Sequence, residues 1–202
     1  MIWFEEDVQE LENKIVALTY SPSTLFYGSS TIRLWQTLTK DFKEYQPVNL
    51  GFGGSTLAAC VWFFDRILAP FTPDYLVVYA GDNDLGDGRH PEEVFLFFQQ
   101  LVIRMQNRFP GNLPCFFVSL KPSPSRLHLL ESFKYANQLI QTEIQKHLPN
   151  WTFINTFDQM LNRYGHPKNI YYAEDGLHLN AKGYELWTKI IKASLPPITQ
   201  IE

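Results

Sequence analysis

Four short segments, in this order, hold the residue types that could do chemistry: Phe26-Tyr27-Gly28-Ser29-Ser30, Asn49-Leu50-Gly51-Phe52-Gly53-Gly54-Ser55, Gly81-Asp82-Asn83-Asp84 and Asp175-Gly176-Leu177-His178. The first offers a hydroxyl, the second glycines that can expose a backbone N–H, and the third a side-chain amide. The fourth offers a carboxylate and an imidazole three residues apart. These are the parts that acyl transfer by an activated serine requires: a nucleophile, a base, a group that orients the base, and donors for a developing oxyanion.

Each candidate also has an ordinary explanation. Ser30 could be a helix N-cap, since serine is favoured there. As a nucleophile it would sit at a helix start, where N–H groups favour negative charge. Ser29 is its nearest rival and reads as support for the loop. Gly51, Gly53 and Gly54 could simply make a tight turn, because glycine tolerates positive φ. Next to Ser30, the Gly54 N–H becomes an oxyanion donor, with Gly53 as the alternative. Asn83 could be a turn residue, yet its amide can donate to the same oxyanion, making three donors with the N–H groups of Ser30 and Gly54. Asp82 and Asp84 are expected to brace the loop. Asp175 can reach the Nδ1–H of His178, fix the tautomer and leave Nε2 to take the Ser30 proton. His90, His128, His147 and His166 lack such an acidic neighbour at short fixed spacing and read as surface or packing residues.

These loops need strands and helices to hold them. Apolar runs alternate with amphipathic stretches, the pattern of an α/β fold with a parallel sheet and helices on its faces. Strands are expected at 24–27 (ended by Gly28), 48–51, 74–80, 114–120 and 151–155. Helices are expected at 5–14, 31–45, 56–67, 91–108, 126–147 and 180–195, the last capped by Asn180. Val94, Phe95, Phe98, Leu101, Val102 and Met105 recur at helical spacing. Trp35 reads as core. Ser30, Gly54 and Asn83 then fall just past strand ends, on the rim where open α/β sheets place their sites. Lys121 or Arg126, in the loop after the fourth strand, could face an anionic substrate group, and a rigid loop into a helix is the plainer reading.

Bulk properties narrow the class. With 202 residues, 45% of them hydrophobic, the chain can bury a real core and is expected to form a single domain, 1–202. Net charge is −4 and no stretch is strongly basic, which argues against nucleic acid as a partner. The acidic start, Met1 to Asp7, lacks a basic leader, and no apolar run approaches membrane-spanning length. Two cysteines, Cys60 and Cys115, sit in apolar contexts and read as buried reduced thiols, which places the chain in the cytoplasm.

The four segments resemble those of the SGNH hydrolases, also called the GDSL lipase/esterase family. The resemblance runs from about residue 24 to about residue 190. On that pattern Ser30 is similar to the first-block nucleophile, Gly54 to the second-block glycine and Asn83 to the third-block asparagine. Asp175 and His178 are similar to the Asp-x-x-His pair of the last block. One position departs: the family's Gly-Asp-Ser reads Gly28-Ser29-Ser30 here, and the replaced Asp is not the triad acid. The resemblance implies a flavodoxin-like, three-layer α/β/α sandwich with a mostly parallel five-stranded sheet. It also implies hydrolysis without a metal or other cofactor, an open site, and small ester or thioester substrates, from acetylated sugars to lysophospholipids. The expected function is a serine esterase working through an acyl-enzyme on Ser30. Two other classes compete. One is a binding or scaffold protein that keeps the fold without turnover. The other is a metal-dependent hydrolase using Asp82, Asp84, Asp175 and His178, for which no His-x-x-x-His or similar spacing is present.

Overall fold

The structure, a computed structural model, describes residues 1–109 and 111–197. Residues 110 and 198–202 of the expected domain lie outside the described residues. Five strands, β1 (Thr24–Gly28), β2 (Pro47–Gly51), β3 (Tyr75–Tyr79), β4 (Cys115–Val118) and β5 (Trp151–Ile154), form one sheet in the order β2-β1-β3-β4-β5. Every pairing is parallel. β1, β3 and β4 are the interior strands, and β1 runs in register with both neighbours, Gly28 lying between Gly51 and Tyr79.

The strands read as continuous apolar runs because both sheet faces are covered. Alternate side chains enter different cores. Leu25, Tyr27, Leu76, Val78, Cys115 and Phe117 join one, while Phe26, Val77, Tyr79, Phe116 and Val118 join the other. The first core is closed by α1 (Glu5–Val16), α4 (Leu57–Trp62), α5 (Phe64–Ile67), α7 (Pro91–Arg108) and α8 (Leu130–His147). The second is closed by α2 (Ser30–Arg33), α3 (Leu38–Asp41) and α9 (Ala181–Ser194). A one-turn helix, α6 (Asp82–Gly86), follows β3. On α7 the residues that reach the core are Val94, Phe98, Leu101, Val102 and Met105, a stripe at 3–4 spacing. Each such buried side chain contributes about 1.5–3 kcal/mol of transfer free energy.

Three expected elements differ. The stretch 31–45 is not one helix: it breaks into α2, α3 and a 3-10 turn at Lys43–Tyr45. Trp35, Leu38, Phe42 and Tyr45 keep their helical spacing and all face one core. However, the Asp41 carboxylate accepts from Trp35 Nε1 (2.7 Å) and Thr37 Oγ1 (2.6 Å), which holds the chain in a turn between α2 and α3. The stretch 56–67 breaks at Phe63 into α4 and α5. The stretch 126–147 becomes helical only at Leu130. It is preceded by a 3-10 segment, Pro124–Leu129, in which Arg126 is non-helical (φ −118°, ψ 30°). Asn180 does cap α9, accepting from the Gly183 N–H at 3.1 Å. Cys60 and Cys115 are buried free thiols. Among the described residues no helix is long and apolar enough to cross a membrane.

Candidate active site

Three consecutive strand-to-helix loops and one late turn meet at the carboxyl edge of the sheet. The first loop turns sharply because Gly28 has φ +143°, and a Cβ there would stand 1.8 Å from the Tyr79 carbonyl oxygen. That same oxygen accepts the Ser29 N–H at 2.9 Å. Only glycine permits this approach. Ser29 is fully buried and, among the described residues, its hydroxyl has no hydrogen-bond partner, whereas Ser30 emerges at the first position of α2. Because α2 is a single turn, the helix dipole adds little, and the Ser30 N–H itself is the useful donor.

The late turn delivers the imidazole. Asp175 Oδ1 accepts the N–H groups of Leu177 (2.8 Å) and His178 (2.9 Å), and Oδ2 meets His178 Nδ1 at 2.6 Å. His178 Nε2 stands 3.0 Å from Ser30 Oγ. Partial burial would raise the Asp175 pKa, but the Leu177 N–H, the His178 ring and the His178 N–H outweigh it and bring it down to about 2. The acid is therefore ionised throughout the neutral range, and it orients the ring with its Nδ1 protonated.

The second loop separates the two glycine alternatives. The Gly53 N–H is already bound, donating to Asp7 Oδ2 at 2.8 Å. Gly54 has φ +63° with open space where a side chain would project. Among the described residues, neither its N–H nor that of Ser30 has an acceptor. In the third loop Asn83 lies on α6, not in a turn, and is 8% exposed. Its Nδ2 donates to the Ser55 carbonyl at 3.1 Å, and its Oδ1 accepts from Arg126 Nη2 at 3.0 Å. An open cavity of about 460 Å³ is lined by Ser30, Gly53, Gly54, Asn83 and His178, together with Asp7, Arg33, Leu34 and Leu177.

The aspartates beside Asn83 do brace the loop. Asp82 is paired with the buried Lys121 at 3.0 Å. Burial opposes its ionisation, but Lys121 and then Arg126 outweigh that and lower its pKa. Asp84 accepts the Leu57 N–H at 2.6 Å at the start of α4 and pairs with Arg89 at 2.8 Å, while its burial keeps its pKa raised. Among the described residues no group of three or more His, Cys, Asp or Glu side chains could hold a metal ion. Of the two readings of the loop after β4, the structure fits a rigid lead into a helix. Lys121 and Arg126 do not present their charges to the cavity, since Lys121 is 1% exposed against Asp82 and Arg126 grips the backbone of Asp82 and the amide of Asn83. The other four histidines are exposed, as expected, and Trp35 is core. Asp7 and Arg33 were not anticipated in the cavity wall. Nothing in the acidic run of α1 distinguishes Asp7 from its neighbours until the fold sets it beside a loop 46 residues away.

Comparison with known proteins agrees with this fold. No curated protein sequence matches the chain. Among solved structures, one from Streptococcus pneumonia, provisionally described as a platelet activating factor, superposes with a TM-score of 0.84. It has 21% identity, over 96% of this chain and 95% of that one. A GDSL-like lipase from Bacteroides thetaiotaomicron gives 0.77 at 18% identity, over 93% and 96%. An acetyl xylan esterase gives 0.70 at 18%, over 86% and 99%. At these identities the likenesses speak for the fold. The profile of the GDSL-like Lipase/Acylhydrolase family matches residues 19–186, most of the sequence, and the chain belongs to that family.

Proposed function

We propose that this chain is a serine acylhydrolase that cleaves carboxylic ester or thioester bonds through an acyl-enzyme on Ser30. His178 Nε2 takes the hydroxyl proton as Ser30 Oγ attacks the acyl carbon. Asp175 holds the resulting imidazolium. The tetrahedral oxyanion accepts from the N–H groups of Ser30 and Gly54 and from the Asn83 amide. Collapse of the intermediate breaks the bond to the leaving group, which takes the proton from His178. Water, deprotonated by the same nitrogen, then attacks the acyl-Ser30 ester; the acyl carbon–Oγ bond breaks, Ser30 Oγ takes the proton back from His178, and the carboxylic acid is released. The observation that carries this reading is the continuous chain Ser30 Oγ–His178 Nε2 (3.0 Å) and His178 Nδ1–Asp175 Oδ2 (2.6 Å) on the rim of an open cavity. Family membership supports hydrolysis of esters in general.

The cavity is open and admits an ester substrate, and the net charge of −4 disfavours nucleic acid. We take the chain as one domain, 1–202, acting in the cytoplasm, a reading that rests on its two buried reduced cysteines. The test is hydrolysis of p-nitrophenyl esters of increasing acyl length, extended to acetylated xylose, acyl-CoA and lysophospholipid. Turnover is expected in the wild type and in Ser29→Ala and lost in Ser30→Ala. Loss in Ser29→Ala with Ser30→Ala still active would transfer the nucleophile to the neighbouring residue.

A further inference from the structure

Asn83 can serve an oxyanion only if its amide is turned the right way. Flipped by 180°, it would present a carbonyl oxygen to developing negative charge. Two groups fix the orientation from opposite sides. Arg126 has only donors, so the atom it meets at 3.0 Å must be Oδ1. The Ser55 carbonyl can only accept, so the atom it meets at 3.1 Å must be Nδ2. One Nδ2 hydrogen is thereby bound to Ser55, and the other remains for the cavity that Asn83 lines. Arg126 is itself held. Its Nη1 donates to the Asp82 carbonyl at 2.8 Å and lies 3.7 Å from the Asp82 carboxylate. Its own N–H donates to the Ser123 carbonyl at 3.1 Å, which anchors the backbone at this kink. The guanidinium fits only because residue 86 is glycine: a Cβ there would lie 2.7 Å from Arg126 Cζ and Nη2. The preceding residue joins the same loop to the acid–base turn, as the N–H and the hydroxyl of Ser125 both donate to the Gly176 carbonyl at 3.1 Å.

We propose that Arg126 is a positioning residue for the oxyanion hole: seated in the space left by Gly86, it locks the Asn83 amide with its donor toward the reacting carbonyl. The positive charge against Oδ1 also polarises the amide and makes the Nδ2 hydrogen a better donor. Substrate charge plays no part in this role, so the residue serves neutral and anionic esters alike. The inference rests on the acylhydrolase reading above and adds to it how the oxyanion donor is held.

The test compares wild type, Arg126→Met, Arg126→Lys and Gly86→Ala on p-nitrophenyl acetate and on an anionic ester. Removing an oxyanion donor outright costs roughly 10²–10³ in rate, so leaving the donor present but free to flip is expected to lower kcat by roughly 10–10²-fold. KM and the acid limb of the pH profile should stay in place. Lysine offers a point charge that can hold one acceptor but not both, so Arg126→Lys should recover part of the loss. Gly86→Ala displaces the guanidinium without removing it and should lower kcat in the same way. Should Arg126→Met not fold, the other two variants decide the matter. An unchanged kcat in the folded variants, or a loss confined to KM for the anionic ester, overturns the proposal. The latter would make Arg126 a substrate ligand. Failure of the wild type itself to turn over esters and to take a fluorophosphonate label on Ser30 removes the underlying reading as well. A labelled, active wild type whose variants keep its kcat removes only the positioning role.

Discussion

A histidine accepts a proton from serine only while it is neutral, and it must present the right nitrogen when it does. In this chain the second condition traces to one carboxylate. Asp175 binds two backbone N–H groups of its own turn as well as His178 Nδ1, so ring and acid are fixed together. With its pKa down at about 2, Asp175 is ionised at every pH where the protein would be assayed, and it cannot be the group that switches activity on. A proton on Nε2 would block transfer from Ser30, so kcat/KM should fall on the acid side, and Asp175 is not the group responsible. Asp175→Asn removes the charge that supports the imidazolium and favours the wrong tautomer, and is expected to cost on the order of 10⁴ in kcat. A pH–rate profile of both proteins checks this, and a flat wild-type profile with near-normal Asp175→Asn activity would remove the pair from the mechanism. The pair is legible in the sequence because its spacing is local. The identity of the glycine donor is not, because it depends on Asp7 occupying the Gly53 N–H across 46 residues.

At the scale of elements, the loop after β4 ties the site together. Lys121 lies under α6, 3.0 Å from Asp82 and 3.2 Å from the Tyr79 hydroxyl, with almost no solvent contact. Breaking a buried pair by removing one partner typically costs about 3–5 kcal/mol, so Lys121→Met should be destabilised by that order in urea denaturation. Asp82 has its pKa lowered, so the stability it contributes is present above the unfolded carboxylate's range and is lost as pH falls through the folded value. Because the two residues act as one unit, adding Asp82→Asn to Lys121→Met should cost less than the sum of the single changes. Strict additivity would mean that the contact is energetically idle. The sequence marks 121–126 only as a rim loop. Its charges look available for substrate until the fold brings Asp82 and Asn83 against them, 39 to 44 residues away along the chain.

At the scale of the whole molecule, the two cores do different jobs. The core that faces α9 holds the helix that begins at Ser30 in place. Trp35 packs its ring against Phe26, Phe42, Tyr184 and Trp187, and the Tyr184 hydroxyl donates to the Thr31 carbonyl at 3.0 Å, one residue from Ser30. Truncating a buried aromatic costs about 3–5 kcal/mol, so Trp35→Ala should unfold at a clearly lower temperature. Trp62→Ala, at a position 66% exposed, should stay within about 0.5 kcal/mol of wild type. Equal melting temperatures for the two variants would contradict this assignment of the core. The parallel sheet and the rim position of the loops are legible from the apolar runs, since strands buried on both faces leave no other pattern. The break at 34–37 is not, because Trp35, Leu38, Phe42 and Tyr45 keep helical spacing while Asp41 redirects the backbone.

The central claim is that Ser30, and not its buried neighbour Ser29, carries the acyl group. The most direct measurement is mass spectrometry of the protein after reaction with a fluorophosphonate probe, with the adduct located to a single residue. One equivalent on Ser30, absent from Ser30→Ala, slowed in Asp175→Asn and retained in Ser29→Ala, is the predicted result. An adduct on Ser29 or elsewhere, or ester turnover that survives in Ser30→Ala, would contradict it.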